Sequence, residues 1–299
     1  LSKPSAVLII ILSANQISSW CFIQLVRIRL SHCVDLIALY VCVGGYNTKF
    51  PTWTMIRLYA IVTIFCSAPI IKIIIAIINI GIWLNFRAKD DGTAFFFTDG
   101  SEPLTWKDLR NGAVEIAQAL TTHGIAKGES VAILQPNGRE GVLAFYGAVF
   151  GGFRATMVNL AAGRDAIAYA LEHSEARIAL VHDSVNEIYQ NARPDQMQRL
   201  ASFQSKEIPL HQINAADHAL LMYTSGTTGR PKGVVHTHSS LLAGGWTPTI
   251  AHHLTDQDRA LCVLPICHIN GLCVSVMGAL VSGGTVVMAK KFSSSQFWN

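Results

Sequence analysis

Leu220-Leu221-Met222-Tyr223-Thr224-Ser225-Gly226-Thr227-Thr228-Gly229-Arg230-Pro231-Lys232-Gly233 is the stretch on which the reading of this chain turns. Its apolar start, Ala219–Tyr223, reads as a buried strand that delivers the loop Thr224–Pro231, and Gly233–His236 reads as the strand that follows. From Thr224 to Gly233 there are four hydroxyl side chains, three glycines and one lysine. Glycine lets backbone N–H groups come close to a ligand. Hydroxyls and clustered amides suit the oxygens of a polyphosphate, and Lys232 adds a compact positive charge for the same oxygens. Pro231 stiffens the exit from the loop. A Walker A loop would need G-x-x-x-x-G-K-[ST], whereas Lys232 lies between Pro231 and Gly233. A nucleophile elbow would need G-x-S-x-G, whereas Ser225 follows Tyr223-Thr224. Composition alone does not separate such a loop from a merely flexible connection.

Outward from the loop, the pattern is that of an α/β protein. Thr105 and Asp108 form a T-x-x-D capping box, after which Leu109, Ala113, Ile116, Ala117 and Leu120 share one helical face up to Gly124. Val131–Leu134 reads as a buried strand, Pro136-Asn137-Gly138 as a turn and Arg139–Phe150 as a helix. Ala155–Val158 and Arg177–Val181 read as strands on either side of a helix, Arg164–His173. Ser184–His211 is polar and less regular. Beyond the loop come a helix, Ser239–Gly244, a strand, Ala260–Leu264, a helix, Gly271–Val281, and a strand, Thr285–Met288. Short apolar strands alternating with helices predict βαβ units and a layered parallel sheet.

Composition changes near residue 86 and divides the chain into an apolar leader, residues 1–86, and a folded part, residues 87–299. The leader holds Lys3, Arg27, Arg29, Lys49, Arg57 and Lys72 against Asp35, a net of +5, and the remainder has a net of −1, together the +4 of the whole chain. The basic surplus therefore belongs to the leader. A nucleic-acid footprint would place it on the folded part, so nucleic acid is disfavoured as a partner. Tyr59–Trp83 runs 25 residues with Lys72 as its one charge. About 20 apolar residues span a bilayer as a helix, so 59–83 is a transmembrane candidate and a point of membrane contact. Pro69 and the central Lys72 count against it. The first methionine is Met55, and the leader contains no Glu. A helical membrane anchor and spurious translation of upstream sequence stand as equal readings of this segment.

The seven cysteines form no C-x-x-C pair, which points to reduced thiols in a cytoplasmic compartment. Cys262, Cys267, His268 and Cys273 are close in sequence, but their spacing matches no common zinc pattern, and cysteine in an apolar stretch behaves as a small hydrophobe.

The twelve residues Tyr223-Thr224-Ser225-Gly226-Thr227-Thr228-Gly229-Arg230-Pro231-Lys232-Gly233-Val234 resemble the core signature of the adenylate-forming (AMP-binding) superfamily, whose members include acyl-CoA synthetases, luciferases and peptide-synthetase adenylation domains. Leu264-Pro265-Ile266-Cys267-His268-Ile269-Asn270-Gly271-Leu272 resembles the family's next motif, L-P-x-x-H-x-x-G-L, in its acyl-CoA synthetase form. The resemblance covers approximately residues 87–299 and none of the leader. It implies ATP, Mg²⁺ and CoA as reactants and cofactors and a small-molecule carboxylic acid as substrate. The acid becomes an acyl-adenylate and is then transferred to the thiol of CoA. On the same basis Thr224, Ser225, Gly226, Thr227, Thr228, Gly229 and Lys232 hold the β- and γ-phosphates, and His268, Asn270 and Gly271 belong to the acyl side. For His268, a histidine packed at a strand end is the plain alternative. His236 and His238 read as structural, the first in a strand and the second as a cap of the next helix.

The family's G-x-T-E segment, its ribose-binding Asp and its late catalytic Lys have no counterpart in these 299 residues. The chain is therefore read as the N-terminal portion of an acid–thiol ligase, with no catalytic residue of its own and little activity alone. Two readings compete with it: a peptide-synthetase adenylation domain and a membrane-tethered nucleotide-binding remnant. The first is weakened because no acid stands in Leu264–Leu272 to meet a substrate amine.

Overall fold

The computed structural model describes the backbone of residues 21–30 and 34–43 and, with side chains, residues 78–200, 203, 206–224 and 231–295. The chain divides into two units, Leu1–Ile74 and Ile75–Asn299. In the first, β1 (Cys21–Leu30) and β2 (Val34–Val43) pair antiparallel from Cys21↔Val43 to Leu30↔Val34. This corrects the expectation of a helical leader there. Both segments are rich in Val, Ile and aromatic residues, which fit a pleated surface better than a helix. Of the candidate span 59–83, residues 59–77 lie outside the described residues. Its last residues enter helix α1 (Ile80–Arg87), whose Ile80 and Leu84 are buried in the core of the second unit. Among the described residues, no helix is long and apolar enough to cross a membrane.

The second unit continues with β3 (Thr93–Phe97), β4 (Leu104–Thr105), α2 (Trp106–Thr122), β5 (Ser130–Leu134), α3 (Arg139–Phe150), β6 (Arg154–Met157), α4 (Arg164–His173) and β7 (Ile178–Val181). After these come α5 (Asn186–Ala192), β8 (Gln198–Arg199), β9 (His218–Thr224), β10 (Lys232–Thr237), α6 (His238–Ala251) and β11 (Arg259–Cys262). A π-helical segment, Gly271–Met277, runs into α7 (Gly278–Ser282), and β12 (Thr285–Met288) follows.

Two sheets form, ordered β10-β9-β6-β5-β7-β8 and β11-β12-β3-β4. In the first, β5, β6, β7, β8 and β9 are mutually parallel and β10 is antiparallel to β9. In the second, β11, β12 and β3 are parallel and β4 is antiparallel. The α/β class expected from the sequence is therefore present, but the sheets are mixed. The physical reason is connection length. Strands joined without a crossover helix, as β9 is to β10, can pair only antiparallel.

The expected capping box is formed. Thr105 Oγ1 accepts from Asp108 N at 3.0 Å, and the Thr105 amide donates to Asp108 Oδ2 at 3.2 Å. Leu109, Ala113, Ile116, Ala117 and Leu120 are all buried, each apolar side chain of the stripe adding roughly 1–3 kcal/mol by leaving water. Helix α6 runs past Gly244 and Gly245, where a stop was expected, to Ala251. Here the glycines serve close packing: a Cβ at Gly244 would lie 2.8 Å from Cys273 Sγ, and one at Gly245 would lie 2.5 Å from the Met277 carbonyl oxygen. The cap of α6 is Thr237, which accepts from Ser240 N, and not His238.

Candidate functional site

Because β5, β6, β7 and β9 run parallel, their carboxyl ends share one sheet edge, the edge at which open α/β sheets place ligands. The loop of interest leaves β9 at this edge. Thr224 and Lys232 face each other in register at its base, and Thr224 Oγ1 donates to the Lys232 carbonyl at 3.5 Å. The Thr224 and Lys232 side chains are exposed, and among the described residues Lys232 has no ion-pair partner. Ser225, Gly226, Thr227, Thr228 and Gly229, the other expected phosphate ligands, lie outside the described residues. The base of the loop thus offers, among the described residues, an ammonium without an ion-pair partner beside a hydroxyl that is turned onto the Lys232 carbonyl, and the ammonium is a donor that fits phosphate oxygens. A cavity of about 1210 Å³ opens beside this base, with Asn159, Arg164, Tyr169, Tyr223, Thr224 and Pro231 on its walls.

Tyr223 is held by neighbours that the sequence reading missed. Its hydroxyl meets His173 Nδ1 at 2.9 Å, and Tyr169 stacks on the His173 ring. Burial of the phenol, and then Tyr169, push Tyr223 up to about 12, so it stays protonated and able to donate. The i, i+4 spacing of Tyr169 and His173 on α4 was the available signal.

The second motif follows β11, at the carboxyl edge of the other sheet. Its turn is closed by His268 N donating to the Pro265 carbonyl at 3.0 Å. Ile266 is buried, whereas His268 and Asn270 are exposed. Gly271 is buried, with its Cα so close to the turn that a Cβ would lie 2.7 Å from Pro265 O and 2.9 Å from Leu264 O. That contact explains the glycine of the motif. Cys262, Cys267 and Cys273 are free thiols, and burial pushes Cys267 and Cys273 up to about 11. Protonated thiols are poor nucleophiles. Among the described residues, no group of three or more His, Cys, Asp or Glu could hold a metal ion.

The two carboxyl edges are joined by Asn137, which is 5% exposed in the turn after β5. Its Nδ2 donates to Leu264 O at 2.9 Å and to Ala289 O at 3.1 Å, and its Oδ1 accepts from Ile266 N at 2.9 Å. On the other flank of the loop, His238 is fully buried, and Ile80 N donates to its Nδ1 at 3.4 Å. Burial pushes His238 down to about 4, Asp217 opposing and Lys127 reinforcing the shift.

A parallel-sheet edge where Thr224 and Lys232 close the β9–β10 loop, tied through Asn137 to a second sheet that presents the L-P-x-x-H motif, is the arrangement of the N-terminal part of an adenylate-forming enzyme. The chain belongs to the AMP-binding enzyme family, whose model matches residues 84–299. It is 33% identical over 215 residues to sulfoacetate–CoA ligase of Cupriavidus necator, covering 67% of this chain and 42% of that one. It is 31% identical over 240 residues to long-chain-fatty-acid–CoA ligase FadD13 of Mycobacterium tuberculosis, covering 74% of this chain and 47% of that one. Among solved structures, o-succinylbenzoate coenzyme A synthetase (MenE) of Bacillus subtilis, in complex with ATP and magnesium ion, superposes with a TM-score of 0.64 at 28% identity, covering 72% of this chain and 59% of that one. The chain thus spans somewhat under half the length of the curated relatives it matches.

Proposed function

We propose that this chain supplies the phosphate-gripping and acyl-side portion of a CoA ligase that activates a carboxylic acid with ATP. The observation that carries the reading is the register pair Thr224–Lys232 closing a hydroxyl- and glycine-rich loop at the parallel-sheet edge. The chemical difficulty is charge, because a carboxylate must approach a polyanion. Lys232, with Thr224 and the loop residues Ser225–Gly229, binds the β- and γ-phosphates and makes pyrophosphate a better leaving group. Magnesium, carried by the triphosphate, screens the same oxygens when bound. His268, exposed after the Pro265 turn, faces the acyl side together with Asn270, while Gly271 keeps the following helix tight against that turn. The acyl-adenylate so formed is consumed by the thiol of CoA.

The relatives named for sulfoacetate, 2-succinylbenzoate and long-chain fatty acids share a carboxylate, an anion or an apolar tail, and no amino group. A fatty or similar carboxylic acid therefore fits better than an amino acid, in keeping with the absence of an acidic residue from Leu264–Leu272. Calorimetry with dodecanoyl- and leucyl-sulfamoyladenosine on the 299-residue chain separates the two: the dodecanoyl probe is expected to bind at least ~10-fold tighter, about 1.4 kcal/mol. The reverse order would assign the chain to amino-acid activation. Pyrophosphate–ATP exchange by these residues alone is expected to be slight.

A further inference from the structure

We propose that Asn137 is a positioning residue that sets the acyl-side motif against the phosphate-side sheet. This use of the residue rests on the ligase reading given above. The geometry is specific. One side-chain amide satisfies three backbone groups separated from it by more than 120 residues: Leu264 O, Ile266 N and Ala289 O. These groups lie after β11 and β12, whereas Asn137 lies after β5, the strand between β6 and β7 in the other sheet. The amide therefore connects the carboxyl edges of the two sheets at the level where both candidate site segments emerge.

The surroundings hold the amide in place. Ile266 is 1% exposed, and its Cδ1 would lie 3.6 Å from a Cβ placed at Gly141, in the first turn of α3. The same Cβ would lie 2.6 Å from Pro136 O, so only glycine lets α3 rise this close to the turn that bears Asn137. The motif begins on the bonds to Leu264 and Ile266, and two residues later His268 emerges exposed. An error in the placement of the Leu264–Ile266 backbone is thus carried directly to His268 and Asn270. No other residue type of this size offers two N–H donors and one acceptor at once. Asp would keep the acceptor but set a carboxylate against two carbonyls, and Leu would match the volume while leaving all three groups unpaired.

The experiment combines amide hydrogen exchange and calorimetry on the 299-residue chain with the Asn137→Ala and Asn137→Asp variants. Exchange at Ile266 is expected to rise about 10-fold or more in Asn137→Ala, with β9 unchanged, since a buried N–H loses its partner. Asn137→Asp retains the acceptor, so Ile266 is expected to exchange more slowly than in Asn137→Ala, an ordering that loosened packing alone would not give. Dodecanoyl-sulfamoyladenosine is expected to bind about 10-fold more weakly to Asn137→Ala, while Mg·ATP affinity stays within about threefold. Unchanged exchange at Ile266, equal rates in the two variants, or an equal loss of both ligands would overturn the proposal. If the unsubstituted chain bound neither ligand, the ligase reading and the acyl-positioning role would fall together. The exchange data would then still decide whether Asn137 fixes the Leu264–Ile266 backbone.

Discussion

Gly245→Ala is expected to destabilise the chain, and its neighbour Gly244→Ala is not. Both positions lie inside α6, where replacing glycine with alanine gains about 1 kcal/mol of helix propensity. What differs is the opposing atom. At Gly245 a methyl would lie 2.5 Å from Met277 O, 2.7 Å from Met277 C and 2.9 Å from Met277 Cβ, mostly backbone that cannot rotate away. Reaching ordinary contact requires the π-helical segment to retreat by about 1 Å, a gap that forfeits a quarter to a half of the dispersion energy along the seam. Leu241, Leu242, Val276 and Met277 line that seam, all at most 1% exposed. Overpacking of this kind costs about 1–3 kcal/mol, so with the lost contacts set against the propensity gain the net is about 2 kcal/mol, or a fall in Tm of roughly 4–8 °C. At Gly244 the nearest atom is Cys273 Sγ, at 2.8 Å, the end of a short rotatable side chain, so the propensity gain roughly balances the crowding. Urea denaturation followed by tryptophan fluorescence compares the two variants with the parent. Gly245→Ala matching or exceeding the parent in stability would refute the reasoning.

Stability should fall with acid because of His238. Its folded pKa, about 4, lies below the ordinary 6.5, so the folded state binds fewer protons than the unfolded state between these values. The contribution is complete above pH 6.5 and declines by roughly 3 kcal/mol as the pH drops to about 4. His238→Asn, which keeps an acceptor for Ile80 N, should flatten the urea midpoint over that window, and parallel pH profiles for variant and parent would contradict this. Thr105→Ala removes the acceptor for Asp108 N and should cost about 1 kcal/mol in the same assay. An unchanged midpoint would mean that the exposed box contributes nothing.

Local features were legible in the sequence, and pairings across the chain were not. Arg139–Phe150, Arg164–His173 and Thr285–Met288 have the expected bounds because apolar periodicity and the bordering glycines Gly138, Gly151, Gly163 and Gly284 are written into neighbouring residues. The second sheet escaped the reading, because Phe95–Phe97 pairs with Val286–Met288 across nearly the whole unit, and no local period encodes that partner. Taken alone, the sequence ends α6 at Gly244, and Gly244 and Gly245 become a packing surface only once Cys273 and Met277 lie opposite them. The site divides in the same way. Lys232 and His268 were named from motif chemistry. Asn137 looked like an ordinary turn residue, since its three partners lie 127 to 152 positions away.

Mg·ATP titration of the 299-residue chain and its Lys232→Ala variant, by calorimetry at low and moderate salt, bears most directly on the phosphate-loop assignment. The parent should bind, more weakly as salt rises, and removal of the ammonium should reduce affinity about 10- to 100-fold while the urea midpoint stays unchanged, as expected for an exposed charge-assisted contact. Equal affinity in the two proteins, or no binding by a folded parent, would contradict it.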